Sequence, residues 1–245
     1  RTPMWWMVPV YEEQNYEDYT YTLLSKRFIR ASEVLDLGPM SHIPATEFIG
    51  AGLWQLFKGI GSPYKSVLKL LLIEVYSSEH PRVQCLSLRF KQAVFANQLD
   101  LDELDPYVVV YRRIEEHLQA RNEPERLELV RRSLYLKVNK KLTGSTRQRN
   151  IGWQRVLLAR LTSEWGWDER QLTLLDSRSQ WKVRQVASER RALVNELNYS
   201  YRFQTRFARA QSTDDTLDAR DLTILGRRCM RRYERKAARS SYQPG

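Results

Sequence analysis

The chain has 245 residues, 42% of them hydrophobic, and carries a formal net charge of +11. This hydrophobic content, with seven tryptophans, is sufficient for a packed core and excludes a disordered chain. No apolar run approaches the roughly 20 residues that a membrane-spanning helix needs, and no secretory signal pattern is present. The positive charge favours an anionic partner, such as a nucleic acid, a nucleotide or an acidic protein.

The first ten residues, RTPMWWMVPV, are apolar and predict a strand stub that has nothing before it to pair with. Because the chain opens with Arg1 and its last residues trail off from a basic segment, we interpret it as a piece of a longer polypeptide. The acidic residues that follow (Glu12, Glu13, Glu17 and Asp18) could bind a metal. They lie at the entry to a helix, however, where acids stabilise the helix dipole.

Apolar residues recur at helical spacing through most of the chain. This pattern predicts helices over residues 23–29, 44–57, 63–76, 86–95, 106–118, 124–138, 152–165, 168 onward, 181–207 and 221–239. Ser62-Pro63 and Asp105-Pro106 are typical helix starts, since proline suits the first helical position. Asp168, with Gln171 three residues later, forms a capping pair. The predicted fold class is all-α: a multi-helix domain of about nine helices with a short strand stub at the N-terminus.

Composition divides the chain into five segments. Residues 1–10 are the strand stub, and residues 11–142 form a helical domain that contains the motif at 53–76. Residues 143–150 are a polar, flexible loop, and residues 151–211 continue the helical body. Residues 212–245 are an acidic linker followed by a basic terminal helix. No repeat of 20–50 residues is present, which excludes a solenoid.

The segment LWQLFKGIGSPYKSVLKLLLIEVY, residues 53–76, predicts two helices that meet at a Gly-Ile-Gly break. One face of the second helix is predicted to be buried by Val67, Leu68, Leu71, Leu72 and Val75. Lys65 and Lys69 lie one turn apart in its opening turns, where the dipole is already positive and like charges repel. A phosphate would relieve this repulsion. The alternative is that both lysines are solvated and their stems cover apolar neighbours.

No self-sufficient catalytic pattern is present in the chain. A nucleophile elbow, a Gly-rich phosphate loop and a Cys–His pair are all missing from the sequence. Asp100, Asp102, Glu103 and Asp105 cluster, but just ahead of a helix start, where capping explains them.

Cysteine and histidine usage gives no metal-binding pattern either. Cys85 and Cys229 lie far apart, which is typical of reduced thiols in a cytoplasmic protein. His42, His80 and His117 have no partner at metal-ligand spacing, and we predict no metal site in this chain.

Two basic surfaces are candidates for binding a macromolecule. The first is the polar face of the helix over 124–138, with Arg131, Arg132 and Lys137, and with Lys140 and Lys141 beyond it. The second is an arginine-rich tail that could bind nucleic acid. Its basic residues are Arg227, Arg228, Arg231, Arg232, Arg235, Lys236 and Arg239. They lie on more than one face of a helix, which is equally typical of a solvated end.

Three stretches together carry a resemblance to a known family. They are MVPVYEEQNYEDYTYTL, LWQLFKGIGSPYKSVLKLLLIEVYS, and RLELVRRSLYLKVNKKL followed by GWQRVLLARLTSEWGWDERQLTLLD. In order and spacing, the chain resembles the class I adenylate cyclases of gamma-proteobacteria from residue 6 to about residue 207. The patterns SPYK-x-VLK-x-LL and LTSEWGWDE make this resemblance specific. It implies a helical domain that follows an N-terminal nucleotidyltransferase catalytic domain, to which the strand stub would belong.

The resemblance also implies a reaction, the conversion of ATP to cyclic AMP and pyrophosphate. The catalytic residues, with aspartates that bind Mg²⁺ or Mn²⁺, would lie outside this chain, so we expect the chain alone to be inactive. By analogy with related nucleotidyltransferases, Ser62, Tyr64, Lys65 and Lys69 would face the phosphates of ATP.

Two alternatives from other functional classes stay open. One is a helical module that contacts a regulatory protein through Arg131, Arg132, Lys137 and the basic tail. The other is a helical domain that binds nucleic acid.

Overall fold

The computed structural model describes residues 1–40, 43–97, 104–143 and 152–211. Within these ranges it contains nine α-helices and one parallel sheet of two short strands, β1 (Thr2–Pro3) and β2 (Val34–Leu35). The predicted all-α class with an N-terminal strand stub is therefore confirmed. No helix in the described ranges is both long and apolar enough to span a membrane.

The helices are α1 (Tyr16–Ser25), α2 (Ala45–Gly59), α3 (Pro63–Glu79), α4 (Leu86–Phe95), α5 (Pro106–Ala120), α6 (Pro124–Val138), α7 (Trp153–Glu164), α8 (Glu169–Asp176) and α9 (Val183–Gln211). Short 3₁₀ helices cover Met4–Met7, Val10–Asn15 and Arg178–Gln180. From α2 onward each described helix lies where the apolar spacing predicts it.

The N-terminal region differs from the prediction in two ways. The strand covers only Thr2–Pro3, because two 3₁₀ helices take up most of the next twelve residues. It also has a partner within the chain, β2. The helix expected over 23–29 begins earlier and ends at Ser25. Arg27 ends it by adopting a left-handed conformation with φ of 59°, which a continuing helix does not permit.

Some predictions concern residues outside the described ranges. These are the loop over 144–150, the linker and terminal helix of 212–245 with the arginine-rich tail and Cys229, and the residues His42, Asp100, Asp102 and Glu103. The predicted domain boundaries stay a prediction.

The chain forms two compact units. Unit 1 comprises Arg1–Phe48 and Tyr76–Val109, and unit 2 comprises Ile49–Val75 and the described residues from Val110 onward.

Unit 1 contains a buried charge that the acidic N-terminal segment neutralises. The Lys91 side chain is fully buried, and its Nζ donates to the Trp5 carbonyl at 2.7 Å and lies 3.7 Å from Glu13 Oε2. The Trp5 indole donates to both carboxylate oxygens of Glu13, and the Met40 amide donates to one of them. Burial lowers the pKa of Lys91, and the Glu13 charge opposes that shift. Glu13 is therefore a structural partner of Lys91, and no group of three or more potential metal ligands occurs among the described residues.

The turn between α7 and α8 explains two residues of the LTSEWGWDE segment, Gly166 and Asp168. Gly166 adopts a positive φ of 71°, which reverses the chain after α7 at no steric cost. Asp168 then begins α8, because its side chain accepts a hydrogen bond from the Gln171 amide at 2.8 Å. The Asp168 half of the predicted capping pair is confirmed, whereas the Gln171 side chain donates to Glu128 of α6 at 2.9 Å.

Replacing the α8 cap tests this reading of the segment. Asp168→Ala should lower the free energy of unfolding by about 1 kcal/mol, because the Gln171 amide loses its acceptor. Asp168→Asn keeps an acceptor and should cost less. Urea titrations of the wild type and both variants measure the difference, and equal midpoints for all three would contradict the assignment.

Candidate functional site

The start of α3 is the region that the sequence singled out, and the helix begins at Pro63 as predicted. The Gly61 and Ser62 amides both donate to the Lys58 carbonyl, at 3.0 and 3.1 Å, which closes the turn after α2. The Ser62 carbonyl then accepts from the Ser66 amide at 3.1 Å, the first hydrogen bond of α3. Pro63 occupies the first helical position, where no N–H is required.

The buried face of α3 is broader than predicted. Val67, Leu71 and Val75 are completely buried, and Leu68 is nearly so. Leu72 is only half-buried, whereas four further residues are buried: Leu70, Ile73, Ser66 and Glu74. α3 is therefore a central helix of unit 2, with a narrow exposed strip.

Lys65 and Lys69 lie on that exposed strip, and so does Ser62 at the helix start. Among the described residues, no carboxylate lies within 4.0 Å of either ammonium group. The two lysines thus place two positive charges one turn apart at the positive end of a helix dipole. Such an arrangement can attract a phosphate.

Tyr64 points the other way, into unit 2. Its side chain is 9% exposed and lies at the edge of a cavity of about 440 Å³. The Arg178 guanidinium lies over the ring, 4.8 Å from its centroid, and Glu189 lines the same cavity. Burial and the charge of Glu189 raise the pKa of Tyr64 to about 12, although Arg178 opposes the shift. Tyr64 therefore stays protonated at neutral pH, and the structure does not group it with the lysines.

The first of the two predicted basic surfaces, the polar face of α6, is largely paired within the chain. Arg131 donates to Glu115 at 3.2 Å and to the Tyr111 hydroxyl at 3.3 Å. Arg132 donates through its Nε to both oxygens of Glu189, at 3.1 and 3.4 Å. Lys137 is half-buried near the end of α6. These arginines join α6 to α5 and α9. Their contact with a partner protein stays a prediction.

A buried ionic cluster centred on Arg126 was not found from the sequence. Arg126 Nη1 and Nη2 donate to Glu74 of α3 at 3.1 and 2.7 Å, and its Nε and Nη2 donate to Glu196 of α9 at 2.9 and 2.7 Å. A further bond goes to Glu123, so all five guanidinium N–H donors are used. The Tyr199 ring covers one face, 3.9 Å from the guanidinium carbon.

The carboxylates of this cluster are nearly inaccessible, with Glu74 1% and Glu196 5% exposed. Burial alone would raise the pKa of Glu74, but the hydrogen bonds from His117 and Arg126 outweigh it and lower that pKa. Burial likewise opposes the charge of Arg126, while Glu196 and Glu74 raise its pKa. The one signal in the sequence is Glu74 itself, an acid within the apolar run LLLIEVY, because a buried charge needs a partner.

Comparison with known proteins supplies the family. Residues 43–241 match the family model described as "Adenylate cyclase, class-I, second domain". The chain is 42% identical over 231 residues to the adenylate cyclases of Salmonella typhimurium strain LT2 and Escherichia coli strain K12. It is 36% identical over 232 residues to that of Proteus mirabilis. These alignments cover 94% of the chain but only 27% of each relative's length. No solved structure matches the chain.

The Arg126 cluster predicts a large loss of stability when its cation is removed. Arg126→Met should lower the free energy of unfolding by about 3–5 kcal/mol, because Glu74 and Glu196 would stay buried without a cation. Arg126→Lys should also destabilise, since an ammonium cannot supply the five planar donors. Arg121→Met removes only a more exposed pair with Glu123 and should cost less than about 1 kcal/mol. Denaturant titrations decide, and similar costs for Arg126→Met and Arg121→Met would contradict this account.

The lowered pKa of Glu74 sets the sign of a pH effect. The unfolded chain binds a proton at Glu74 more readily than the folded chain does, so stability falls as the pH drops below the ordinary glutamate pKa of 4.5. Glu74→Gln removes this contribution. The free energy of unfolding should therefore decline less steeply between about pH 5 and pH 3 in the variant than in the wild type. Parallel slopes in the two proteins would show that Glu74 titrates normally.

Proposed function

This chain belongs to the class-I adenylate cyclase second-domain family, and from that premise we propose that it is the helical portion of an enzyme that converts ATP to 3′,5′-cyclic AMP and pyrophosphate. The support is the family match over residues 43–241 together with the identity to curated adenylate cyclases. Because the chain spans only about a quarter of those relatives' length, the reaction is assigned to a longer protein that contains it.

Within that enzyme, Lys65 and Lys69 contribute to the site for the ATP phosphates, with Ser62 beside them at the helix start. The observation that carries this assignment is the pair of exposed ammonium groups, one turn apart, on a helix whose opposite side is anchored in the core. Tyr64 has a positioning part, because its buried ring packs against Arg178 and fixes the helix start.

The chemical contribution of the lysines is electrostatic. When the ribose 3′-hydroxyl attacks the α-phosphorus, negative charge builds on the departing pyrophosphate. Ammonium groups that are already in position stabilise that charge without reorganisation. Such a contact is worth about 1.5–3 kcal/mol.

The catalytic residues and the divalent ion, Mg²⁺ or Mn²⁺, belong outside this chain in our proposal. The described residues offer no metal-binding group, so we assign no step to the ion here. The intramolecular partner is the catalytic domain, and the setting is the cytoplasm.

The chain by itself should be inactive, because it lacks the residues that we assign to the catalytic domain. Incubation of the purified 245-residue chain with ATP and either Mg²⁺ or Mn²⁺ should give no cyclic AMP above a protein-free control. Sustained formation of cyclic AMP, dependent on the folded chain, would refute this division of labour.

The lysines are tested in the full-length enzyme that carries this chain. Lys65→Ala and Lys69→Ala should each lower kcat/KM for ATP by roughly 10- to 100-fold, the equivalent of one charge-assisted contact. Lys182→Ala, which removes another exposed lysine, is the matched control and should leave kcat/KM unchanged. If both test variants retain normal kcat/KM while folded, the solvated alternative is correct.

A further inference from the structure

The cavity beside Tyr64 has the size and walls of a ligand site. At about 440 Å³, it lies within the usual range for small-molecule pockets. Its wall is mainly apolar and comes from the turn before α3, the first residues of α3, the segment between α8 and α9, and α9 itself. The apolar lining residues include Ile60, Pro63, Trp181, Val186, Leu193 and Leu197.

A second, smaller cavity of about 200 Å³ shares one residue with the first. That residue is Arg178, which lines both cavities. Its guanidinium is held over the Tyr64 ring, 4.8 Å from the ring centroid. The smaller cavity is more polar than the first, and its lining includes Asn139, Lys140, Lys141 and Ser179.

The charges around the smaller cavity favour an anion. Lys140, Lys141 and Arg178 line it together with one carboxylate, that of Asp176. Among the described residues, no carboxylate lies within 4.0 Å of any of these three cations. The lysines follow the C-terminal end of α6, whose dipole explains a basic residue there but not the convergence of Arg178 from a different segment.

The Asp176 carboxylate is committed to other partners. Its Oδ1 accepts from the Tyr135 hydroxyl at 2.6 Å, and its Oδ2 accepts from the amide and hydroxyl of Thr143 at 2.8 and 2.7 Å. The Leu142 amide adds a further bond at 3.0 Å. Asp176 thus holds the segment after α6 in place, which fixes the backbone that precedes it at Lys140 and Lys141.

In the larger cavity, the acidic group is also paired. Glu189 accepts from Arg132 Nε at 3.1 Å. An incoming anion therefore meets no unpaired carboxylate from that side, and Arg178 is available to both cavities.

We propose that the two cavities form one binding site for a small phosphorylated molecule with an aromatic body, such as a nucleoside monophosphate. The aromatic group occupies the apolar cavity against Trp181 and α9. The phosphate binds Arg178, Lys140 and Lys141, since a guanidinium matches the geometry of two phosphate oxygens.

This site is separate from the one proposed for ATP. Neither Lys65 nor Lys69 lines either cavity. Tyr64 lines the larger cavity and immediately precedes Lys65, so a bound molecule contacts the start of the same helix.

Calorimetric titration of the 245-residue chain tests the proposal, with AMP, phenyl phosphate, adenosine and inorganic phosphate as probes. AMP should bind saturably at one site. Adenosine lacks the phosphate and inorganic phosphate lacks the aromatic group, so each should bind at least about tenfold more weakly than AMP. If phenyl phosphate binds as tightly as AMP, the site recognises aryl phosphates in general. If phenyl phosphate binds more weakly than AMP, the site prefers a nucleotide. No saturable binding of AMP or of phenyl phosphate would overturn the proposal.

Variants locate the binding. Arg178→Ala should weaken AMP binding at least about tenfold, and Val186→Trp should weaken it by filling the apolar cavity. Val186 is 44% exposed, so this enlargement is compatible with folding, which circular dichroism checks. Arg170→Ala, an exposed arginine of α8 outside both cavities, is the matched control and should bind AMP normally.

The double variant Lys65→Ala/Lys69→Ala separates this proposal from the proposed function. It should bind AMP as tightly as the wild type. Loss of AMP binding in that variant, with retention in Arg178→Ala, would place the nucleotide at the α3 start and overturn the second site.

Discussion

The structure of unit 2 depends on one cation, the Arg126 guanidinium, which is 14% exposed and pairs with two buried carboxylates. It uses all five of its donors on carboxylates, two of which come from other helices, Glu74 on α3 and Glu196 on α9. Removal of carboxylates from water costs several kcal/mol each, so these helices can pack only in the register that brings both acids to Arg126. The cluster therefore favours one arrangement of α3, α6 and α9 over others that would bury the same apolar area.

This constraint bears directly on the start of α3. One side of that helix is fixed by buried Val67, Leu71 and Val75 and by Glu74 near its end, while the opposite strip presents Lys65 and Lys69 to solvent. A pair of like charges is useful for phosphate binding when it is held in place before the ligand arrives, because little reorganisation is then needed. Tyr64, packed between Arg178 and Glu189, adds a second anchor at the first turn.

Local features of the structure could be predicted from the sequence, and long-range ones could not. The starts of α3, α5 and α8 follow from Ser62-Pro63, Asp105-Pro106 and the Asp168–Gln171 pair, because caps act within three or four residues. The Asp105 carboxylate does accept from the Tyr107 and Val108 amides, as its position suggests. Arg126, by contrast, meets acids 52 and 70 residues away, and periodicity carries no information about such pairings.

The same distinction applies to the candidate site. The lysines could be identified as unusual from their place in one helix. Their separation from Tyr64, and the pairing of Arg131 and Arg132 with acids on α5 and α9, required the packing of several helices. The cavity beside Tyr64 combines residues from Gly59 to Leu197, which no local pattern joins.

The most direct test of the central claim is lysine labelling by an acyl-phosphate derivative of ATP in the full-length enzyme. Such a probe acylates lysines that lie beside the bound phosphates, and mass spectrometry identifies them. We expect labelling of Lys65 or Lys69 that excess ATP suppresses. Labelling that spares both lysines, while ATP-protected lysines are found elsewhere in the enzyme, would contradict it.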